Sequence, residues 1–174
     1  MEQFQRVRLY GADCNQSAMV LDAIQQTKVN MSVYLGNYAA LNDNNTAYDR
    51  QRGELDSVLQ KFGTNNILGL TVGNEMMLNY LNDNGGTDPN SALGNTGATL
   101  IIADINDTKS NISSLGLNGS VAIGNADAGS FFNTQVLQNV AYAVRCSLLL
   151  RPLSPYMRIW YRCLMYIPGL PMYQ

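Results

Sequence analysis

The chain has 174 residues, of which 46% are hydrophobic and 14% are charged, and its formal net charge is -2. This composition is that of one globular domain, and an acidic chain lacks the basic field that binding to nucleic acid or to an anionic membrane requires. Because the sequence contains no His, the usual Ser-His-Asp and Cys-His pairs and most zinc sites are excluded, and any catalysis rests on carboxylates.

Strand and helix patterns alternate along the first half of the chain. VRLY (7–10) predicts a strand, SAMVLDAIQQTK (17–28) predicts a helix, and VNMSVYLG (29–36) returns to strand character. A second helix is predicted from apolar residues at helical spacing, namely Leu55, Val58, Leu59 and Phe62. Asn45 or Thr46 is its expected N-terminal cap, and Gly63 lies beyond its end.

The pattern continues through a third and a fourth strand. ILGLTV (67–72) predicts a strand, and SVAIGNADAG (120–129) predicts the fourth strand. Between them a helix is expected over about residues 97–115, and Asp88 in the loop TDPNS is interpreted as the start of a helix. This alternation indicates parallel βαβ units in either a barrel or an open doubly wound sheet. The absence of a GxGxxG or GxxxxGK[ST] loop after a strand disfavours a nucleotide-binding sheet.

Polar residues follow the predicted strands. They are Tyr10 and Asp13, Asn37 and Tyr38, Asn74 and Glu75, and Asn125 and Asp127. Sites in parallel α/β folds form at the carboxyl ends of the strands, so these residues are the candidates for one functional rim.

Glu75 is the main catalytic candidate on this rim. A carboxyl group at the end of an apolar strand is partly desolvated, which favours the protonated form that a general acid requires. The alternative interpretation is that Glu75 pairs with a lysine or caps the next helix. Likewise, Tyr10 is compatible with an ordinary packed aromatic residue, and Asn74 with a loop cap.

Four segments together resemble one known family. VRLYGADCNQ, SVYLGNY, ILGLTVGNEMMLNYLNDNGGTDPNSA and VAIGNADAGSFFN, in this order, are similar to the fungal branch of the family-17 glycoside hydrolases. These are β-1,3-glucan endoglucosidases and related cell-wall glucan transferases. The resemblance runs from about Arg6 to about Tyr142 and corresponds to strands two to five of the family's eight.

The resemblance implies a partial (β/α)8 TIM barrel of the α/β class and a retaining, double-displacement mechanism on β-1,3-glucan without a metal or organic cofactor. In the VGNE motif, the acid/base residue falls on Glu75 and the contact to the sugar 2-hydroxyl falls on Asn74. Tyr10 is expected to line the floor of the cleft. Asp127 is expected to contact a sugar hydroxyl.

One family element is missing from the sequence. The family's nucleophile is a Glu in a segment of the type E-x-G-W-P after the seventh strand, and no such segment occurs in the 174 residues. We therefore expect a truncated and inactive form of the hydrolase. A second hypothesis is a non-catalytic glucan-binding or interaction module derived from the barrel.

Residues 144–174 differ in composition from residues 1–143. They contain four of the five prolines, two of the three cysteines, the only Trp, and no Asp or Glu. We predict that residues 1–143 form the glycoside hydrolase domain and that residues 144–174 lie outside it, as a shifted reading frame or a retained intron would produce. The prolines make a regular strand in this tail unexpected. Open edges of a partial sheet predict self-association.

The features that bear on localisation point in two directions. The N-terminus lacks the apolar core of a signal peptide, so the chain as written is cytoplasmic or of unknown location, whereas the family resemblance implies secretion or a place in the cell wall. Six N-x-[ST] sequons also suit a secreted protein: Asn15, Asn30, Asn44, Asn106, Asn111 and Asn118.

Overall fold

Six strands form one sheet in the computed structural model, which describes residues 5–117, 119–151 and 158–166. Their bounds are β1 Arg6–Arg8, β2 Ser32–Asn37, β3 Ile67–Val72, β4 Ala122–Ala128, β5 Tyr142–Arg151 and β6 Arg158–Tyr166. The strands lie side by side in chain order, and the first five run parallel. They curl into half of a barrel, which confirms the predicted partial α/β barrel.

Helices connect the parallel strands. Within the same described ranges they are α1 Gln16–Thr27, α2 Thr46–Phe62, α3 Met76–Asp83, α4 Ala92–Ser114 and α5 Thr134–Gln138, and a 3-10 turn at Asp13–Asn15 precedes α1. The predicted second helix is confirmed, with Asn45 at its N-terminal cap position and Gly63 at its C-terminal end. The sequence analysis predicted neither α3 nor α5. No helix of the described residues is both long and apolar enough to cross a membrane.

The start of α4 differs from the prediction. The helix begins at Ala92, five residues before the predicted start, and Ser91 rather than Asp88 caps it by accepting a hydrogen bond from Gly94 N at 3.1 Å. Asp88 instead accepts a hydrogen bond from Asn90 N at 2.8 Å. The carbonyl oxygen of Asp88 accepts from Ser91 N at 3.2 Å and from Ser91 Oγ at 2.7 Å, so Asp88 begins a turn that ends at Ser91, where the helix is capped.

The two faces of the sheet are packed differently. The larger core lies between the sheet and the helices, and its strand residues include Val33, Leu35, Leu70, Val72 and Ile123. Alternate strand residues face the other side, where a small cluster is built from Tyr34, Ala126, Tyr142 and Val144. The rings of Tyr34 and Tyr142 pack edge to face with centroids 5.1 Å apart. Each strand therefore has a helix side and an inner side, which decides where the rim residues point.

The tail contributes regular strands to the sheet, contrary to expectation. β5 pairs in parallel with β4 and extends from Tyr142 to Arg151, across the predicted boundary at residues 143 and 144. β6 pairs with β5 in antiparallel register from Ala143↔Tyr166 to Arg151↔Arg158. The bounds of these two strands contain none of the prolines, which removes the physical objection to a strand here. The division into a domain and a separate tail stays a prediction.

Candidate active site

A sharp turn after β3 carries Asn74 and Glu75. Gly73 has φ of +80°, and a Cβ at this position would lie 2.1 Å from the Sδ atom of Met76, so glycine is required. Glu75 has φ 57° and ψ 33°, a left-handed conformation that costs a residue with a side chain about 1–2 kcal/mol. The turn places Glu75 directly before α3, half-buried at the carboxyl edge of the sheet. Such strain persists only where surrounding contacts over-determine the backbone, and it is typical of functional sites.

The contacts of Glu75 leave its carboxylate at the rim. Its backbone N–H donates to Ala126 O of β4 at 3.0 Å, and its carbonyl accepts from Asn79 N at 3.0 Å. Its side chain makes no capping hydrogen bond to α3, and none of the ion pairs among the described residues involves it. Neither the lysine pair nor the helix cap that the sequence left open is therefore observed in the described part of the chain.

Asn74 and Tyr10 are joined by Arg8, although they are 64 positions apart in the sequence. The Nη2 atom of Arg8 donates to Asn74 Oδ1 at 2.9 Å, and its guanidinium carbon lies 4.3 Å from the centroid of the Tyr10 ring. This hydrogen bond uses the acceptor oxygen of the Asn74 amide, so the N–H2 group of the same amide points away from Arg8. Tyr10 is 44% exposed, so its ring is accessible at the rim. The three residues form one connected group across β1 and the end of β3.

The sequence analysis assigned no role to Arg8. A signal was present, because strand alternation places Arg6, Arg8 and Tyr10 on one side of β1 while Val7 and Leu9 take the other. A basic residue flanked by apolar neighbours in a short strand requires a polar partner. The partner itself could not be read from the sequence, since it lies 66 positions away.

Asp127 lies close to Glu75 but is buried. Its Oδ2 accepts from Met77 N at 2.9 Å, and its Oδ1 accepts from Ala128 N at 2.9 Å and from Leu78 N at 3.4 Å. Desolvation raises the pKa of Asp127 to about 7, against the lowering effect of these bonds, and the charge of Glu75 raises it further. The side chain is 2% exposed. This geometry does not favour the predicted contact with a sugar hydroxyl, because both oxygens already accept backbone N–H groups.

The other rim candidates have structural contacts. Asn37 and Asn125 are buried, and their side-chain amides donate to Tyr48 O at 3.1 Å and to Val72 O at 2.9 Å. Asp13 forms an exposed ion pair with Arg50 at 2.8 Å. The structure therefore brings Tyr10, Asn74 and Glu75 to the rim, buries Asn37 and Asn125, and leaves Asp13 exposed but paired with Arg50.

Gln51 of α2 holds two of the rim loops together and was also not predicted. Its Oε1 accepts from Ala12 N at 2.7 Å and from Tyr38 N at 2.9 Å, and its Nε2 donates to Tyr38 O at 2.8 Å. The side chain is buried, so these bonds are shielded from water. One amide therefore fixes the ends of β1 and β2 relative to each other. The signal in the sequence is its spacing: Gln51 stands four and seven positions before Leu55 and Val58, which places it on the apolar face of α2.

A cavity of about 370 Å³ opens beside α3 on the same edge of the sheet. Its lining includes Tyr38 from the loop after β2 and Met76 and Tyr80 from α3. Asn42 and Asp83 close one side, with Asn42 Nδ2 donating to Asp83 Oδ2 at 3.3 Å. Aromatic faces next to amide and carboxylate groups form a surface suited to a polar ligand with a hydrophobic face. No group of three or more His, Cys, Asp or Glu suited to a metal ion occurs in the described ranges.

The model of the BtgE/BtgC glycoside hydrolase domain matches residues 1–144. The chain belongs to this family. It is 33% identical over 133 residues to a protein of Aspergillus niger named as the glucan endo-1,3-beta-glucosidase btgC, an alignment that covers 75% of this chain and 17% of that protein. It is 38% identical over 73 residues to the glucan endo-1,3-beta-glucosidase btgC of Emericella nidulans, covering 41% of this chain and 11% of that protein. The chain thus spans less than a fifth of the length of these BtgC relatives.

Solved structures place this BtgE/BtgC domain beside family-17 enzymes. A family-17 β-1,3-glucanosyltransferase of Rhizomucor miehei matches with a TM-score of 0.56 and 25% identity over 79% of this chain and 43% of that one. An active-site mutant of the R. miehei glucanosyltransferase, in complex with laminaritriose, matches with a TM-score of 0.54 and the same identity and coverage. An endo-laminarinase of Formosa shares the fold with a TM-score of 0.58 and 16% identity, over 80% of this chain and 39% of that one. The expected fungal family-17 resemblance is confirmed.

Proposed function

We propose that this domain acts on β-1,3-glucan by a retaining double displacement, with Glu75 as the general acid/base. The observation that carries the proposal is Glu75 itself, which is half-buried at the rim, in a strained turn beside Asn74, and without an ion pair among the described residues. The names of the BtgC relatives and of the glucanosyltransferase supply the substrate class.

The proposed chemistry begins with proton transfer from Glu75 to the glycosidic oxygen as the bond to the anomeric carbon breaks. Asn74 contacts the sugar 2-hydroxyl through the amide that Arg8 orients, and Tyr10 provides the floor of the cleft. A second carboxylate attacks the anomeric carbon from the opposite face. Glu75 then removes a proton from the incoming water or sugar hydroxyl, which releases the glycosyl group.

Residues 1–174 lack the segment that supplies the second carboxylate in the family, and this decides what they are expected to do by themselves. A retaining site needs its two carboxyl groups about 5–5.5 Å apart, and the E-x-G-W-P segment that supplies the nucleophile in the family is absent from these residues. Asp127 is not a substitute, because its carboxylate is buried against the first turn of α3. We therefore assign the acid/base half of the site to residues 1–174 and expect them to bind glucan without cleaving it.

The test of this function uses a longer form of the protein that releases sugar from β-1,3-glucan. Glu75→Gln preserves the shape of the side chain and removes its proton, so turnover should fall by a factor on the order of 10²–10⁴. Asp104→Asn is the control and should retain turnover. It also changes a buried aspartate, but one on α4 that contacts Asn45 and does not contact Asn74 or Glu75. Activity of Glu75→Gln within twofold of the wild type would contradict the assignment.

A non-catalytic glucan-binding module is the second candidate function. The absence of an E-x-G-W-P segment from the sequence favours it for residues 1–174. Titration of a longer form of the protein with laminaritriose distinguishes the two functions: binding without release of reducing sugar supports the module, and release that depends on Glu75 supports the hydrolase. Absence of binding to the 174-residue chain would contradict both.

We also place the protein in the secretory pathway, as the family resemblance implied. Sequon residues Asn15, Asn30, Asn44 and Asn106 are exposed in the structure, as oligosaccharide attachment requires. Expression in a fungal host followed by enzymatic deglycosylation should lower the mass by at least one N-glycan. An unchanged mass would contradict this location.

We propose two partners for this protein. One is β-glucan as the polysaccharide ligand, with no nucleic acid partner, and the other is a second copy of the chain, bound through the sheet edges. β1 and β6 form the two edges of the sheet, and exposed strand edges recruit other chains. Sedimentation velocity should detect oligomers at micromolar concentration. A strictly monomeric distribution would exclude this association.

A further inference from the structure

Three consecutive residues of β4 contact the turn that carries Glu75. The side-chain amide of Asn125 donates to Val72 O at 2.9 Å, and the carbonyl of Ala126 accepts from Glu75 N at 3.0 Å. The carboxylate of Asp127 then accepts from the N–H groups at the start of α3. The contacts begin before Glu75 in the chain and end after it, so β4 fixes the turn on both sides.

The first turn of α3 lacks a cap of its own. The N–H groups at a helix start have no partner within the helix, and a side chain at the cap position usually accepts one of them. The cap position of α3 is Glu75, whose left-handed backbone is not accompanied by a side-chain capping bond. The N–H groups of Met77 and Leu78 bind Asp127 instead, at 2.9 and 3.4 Å. A carboxylate at this point also interacts favourably with the helix dipole.

We infer that Asp127 is a positioning residue, whose carboxylate replaces the missing cap of α3 and thereby fixes the orientation of Asn74 and Glu75. The inference rests on the proposed role of Glu75 in the reaction. Asp127 acts through the backbone of α3 and not by contact with the substrate. This role also explains why a charged side chain is kept on the helix side of β4, where it is 2% exposed.

The strength of this anchor depends on pH. Burial raises the pKa of Asp127 to about 7, so both protonation states are populated near neutrality. The charged groups around it are Glu75 and, on the neighbouring strand, Arg145, which is its register partner and whose guanidinium lies against Gly129. Protonation converts one oxygen from an acceptor into a hydroxyl group and weakens the hold on α3.

The test compares backbone hydrogen exchange in the 174-residue chain and two variants. Asp127→Asn keeps the size of the side chain and replaces one acceptor oxygen with an N–H2 group. Exchange of the Met77 and Leu78 amides should become at least tenfold faster, and the Glu75 amide resonance should shift. Asp104→Asn is the matched control, because it also changes an aspartate that is 3% exposed, but one that faces Asn45 near the start of α2.

Three outcomes decide the inference. Unchanged exchange of Met77 and Leu78 in Asp127→Asn would overturn it, as would equal acceleration in Asp104→Asn. If Asp127→Asn does not fold, the wild-type chain is used instead. The amide resonances of Met77, Leu78 and Ala128 should then shift together with a midpoint near pH 7. Amide shifts that do not change with pH would overturn the inference.

Binding of laminaritriose separates this inference from the proposed function. Affinity should fall at least threefold in Asp127→Asn and remain within error of the wild type in Asp104→Asn. If the wild-type chain binds no laminaritriose while the exchange and titration results hold, the proposed function fails for these residues and the anchoring of α3 by Asp127 stands. If laminaritriose binds equally to wild type and Asp127→Asn, the anchor does not position the site and the inference fails.

Discussion

Two regions of the molecule bury an aspartate, and they use it differently. At the rim, Asp127 accepts three backbone N–H groups and ties β4 to α3. Between α2 and α4, Asp104 accepts one bond from Asn45 Nδ2 at 2.9 Å, and its second oxygen has no hydrogen-bond partner among the described residues. Equal burial does not imply equal function: the first carboxylate fixes a turn that carries a catalytic candidate, and the second lies in a helix interface.

Tyr48 organises the helix interface around Asp104. Its hydroxyl donates to Asp104 O at 3.0 Å or to Asp107 Oδ2 at 2.7 Å and shares a hydrogen bond with Thr108 Oγ1 at 2.8 Å. Arg52 pairs with the same Asp107 carboxylate. These contacts join α2 to α4 without reaching the rim. Variants of the interface should therefore change stability, whereas variants of the rim should change ligand binding.

The largest expected effect is on the pH dependence of stability. Desolvation raises the pKa of Asp127 to about 7 and that of Asp104 to about 6. Between pH 4 and 7 the folded chain binds more protons at these groups than the unfolded chain, so the free energy of unfolding should fall as pH rises, by up to about 7 kcal/mol at about 1.4 kcal/mol per pKa unit. Urea unfolding at pH 4.5, 6 and 7.5 measures this dependence.

Substitution divides this pH dependence between the two regions. Asp104→Asn should remove the part that ends near pH 6, and Asp127→Asn the part that extends to pH 7. Protonation of Asp127 has two opposite effects. It raises the free energy of unfolding of the whole chain, because it removes a buried charge, and it weakens the hydrogen bonds that hold the first turn of α3. A wild-type stability that is constant from pH 4.5 to 7.5 would contradict the raised pKa values.

The next largest effect is expected for Tyr48→Phe. The substitution keeps the buried ring and removes the hydroxyl that contacts Asp104, Asp107 and Thr108. Unfolding free energy should fall by about 1–3 kcal/mol, since buried polar groups lose their partner. Laminaritriose affinity should be unchanged. A loss of affinity comparable to that of a rim variant would show that the two regions are coupled.

A smaller effect is expected for Arg8→Met, measured on ligand binding. Methionine retains an unbranched apolar side chain but removes the bond to Asn74 Oδ1 and the contact with the Tyr10 ring. Loss of one charge-assisted hydrogen bond should weaken laminaritriose binding about tenfold. Arg50→Met is the control, because Arg50 forms an exposed ion pair with Asp13 on the same edge of the sheet. Equal effects of the two substitutions would contradict a specific role for Arg8.

The smallest effect is expected for Tyr10→Ala. The ring is 44% exposed and contributes one stacking surface, so laminaritriose affinity should fall about two- to fivefold, equivalent to roughly 0.5–1 kcal/mol. Tyr10→Phe should preserve most of the affinity, since the aromatic face remains. Calorimetric titration measures both variants, and a greater loss for Phe than for Ala would contradict stacking.

Most of the fold could be predicted because hydrophobic periodicity records which side of each element is buried. The four strands and α2 followed from this signal, and the turn residues located Asn74 and Glu75 at a strand end. The start of α4 was predicted wrongly because Asp88 and Ser91 are both residue types that commonly cap a helix, and the sequence did not show that Asp88 begins a separate turn before Ser91. α3 is only eight residues long, and its apolar content did not distinguish it from the end of a strand.

The site was harder to predict because its contacts join distant positions. Arg8 and Asn74 are 66 residues apart, and Asp127 reaches α3 across 50. The position of Asp127 did leave a trace, since it has the same parity as Ile123, which lies in the helix-side core. Strand parity would have placed Asp127 on the helix side, but the sequence analysis used only its position at the strand end and the family resemblance, and so predicted a sugar contact.

The strand order has a consequence for biosynthesis. Each strand from β2 to β6 pairs with the strand that precedes it in the chain, so no strand waits for a partner that is synthesised later. Such a sheet can grow strand by strand as the chain leaves the ribosome, because each strand pairs with the one synthesised just before it and each loop to be closed joins consecutive strands. Ribosome-bound chains stopped after β4 should already protect β1 to β3 from protease, and cleavage within β2 at that length would show that the sheet forms only after release.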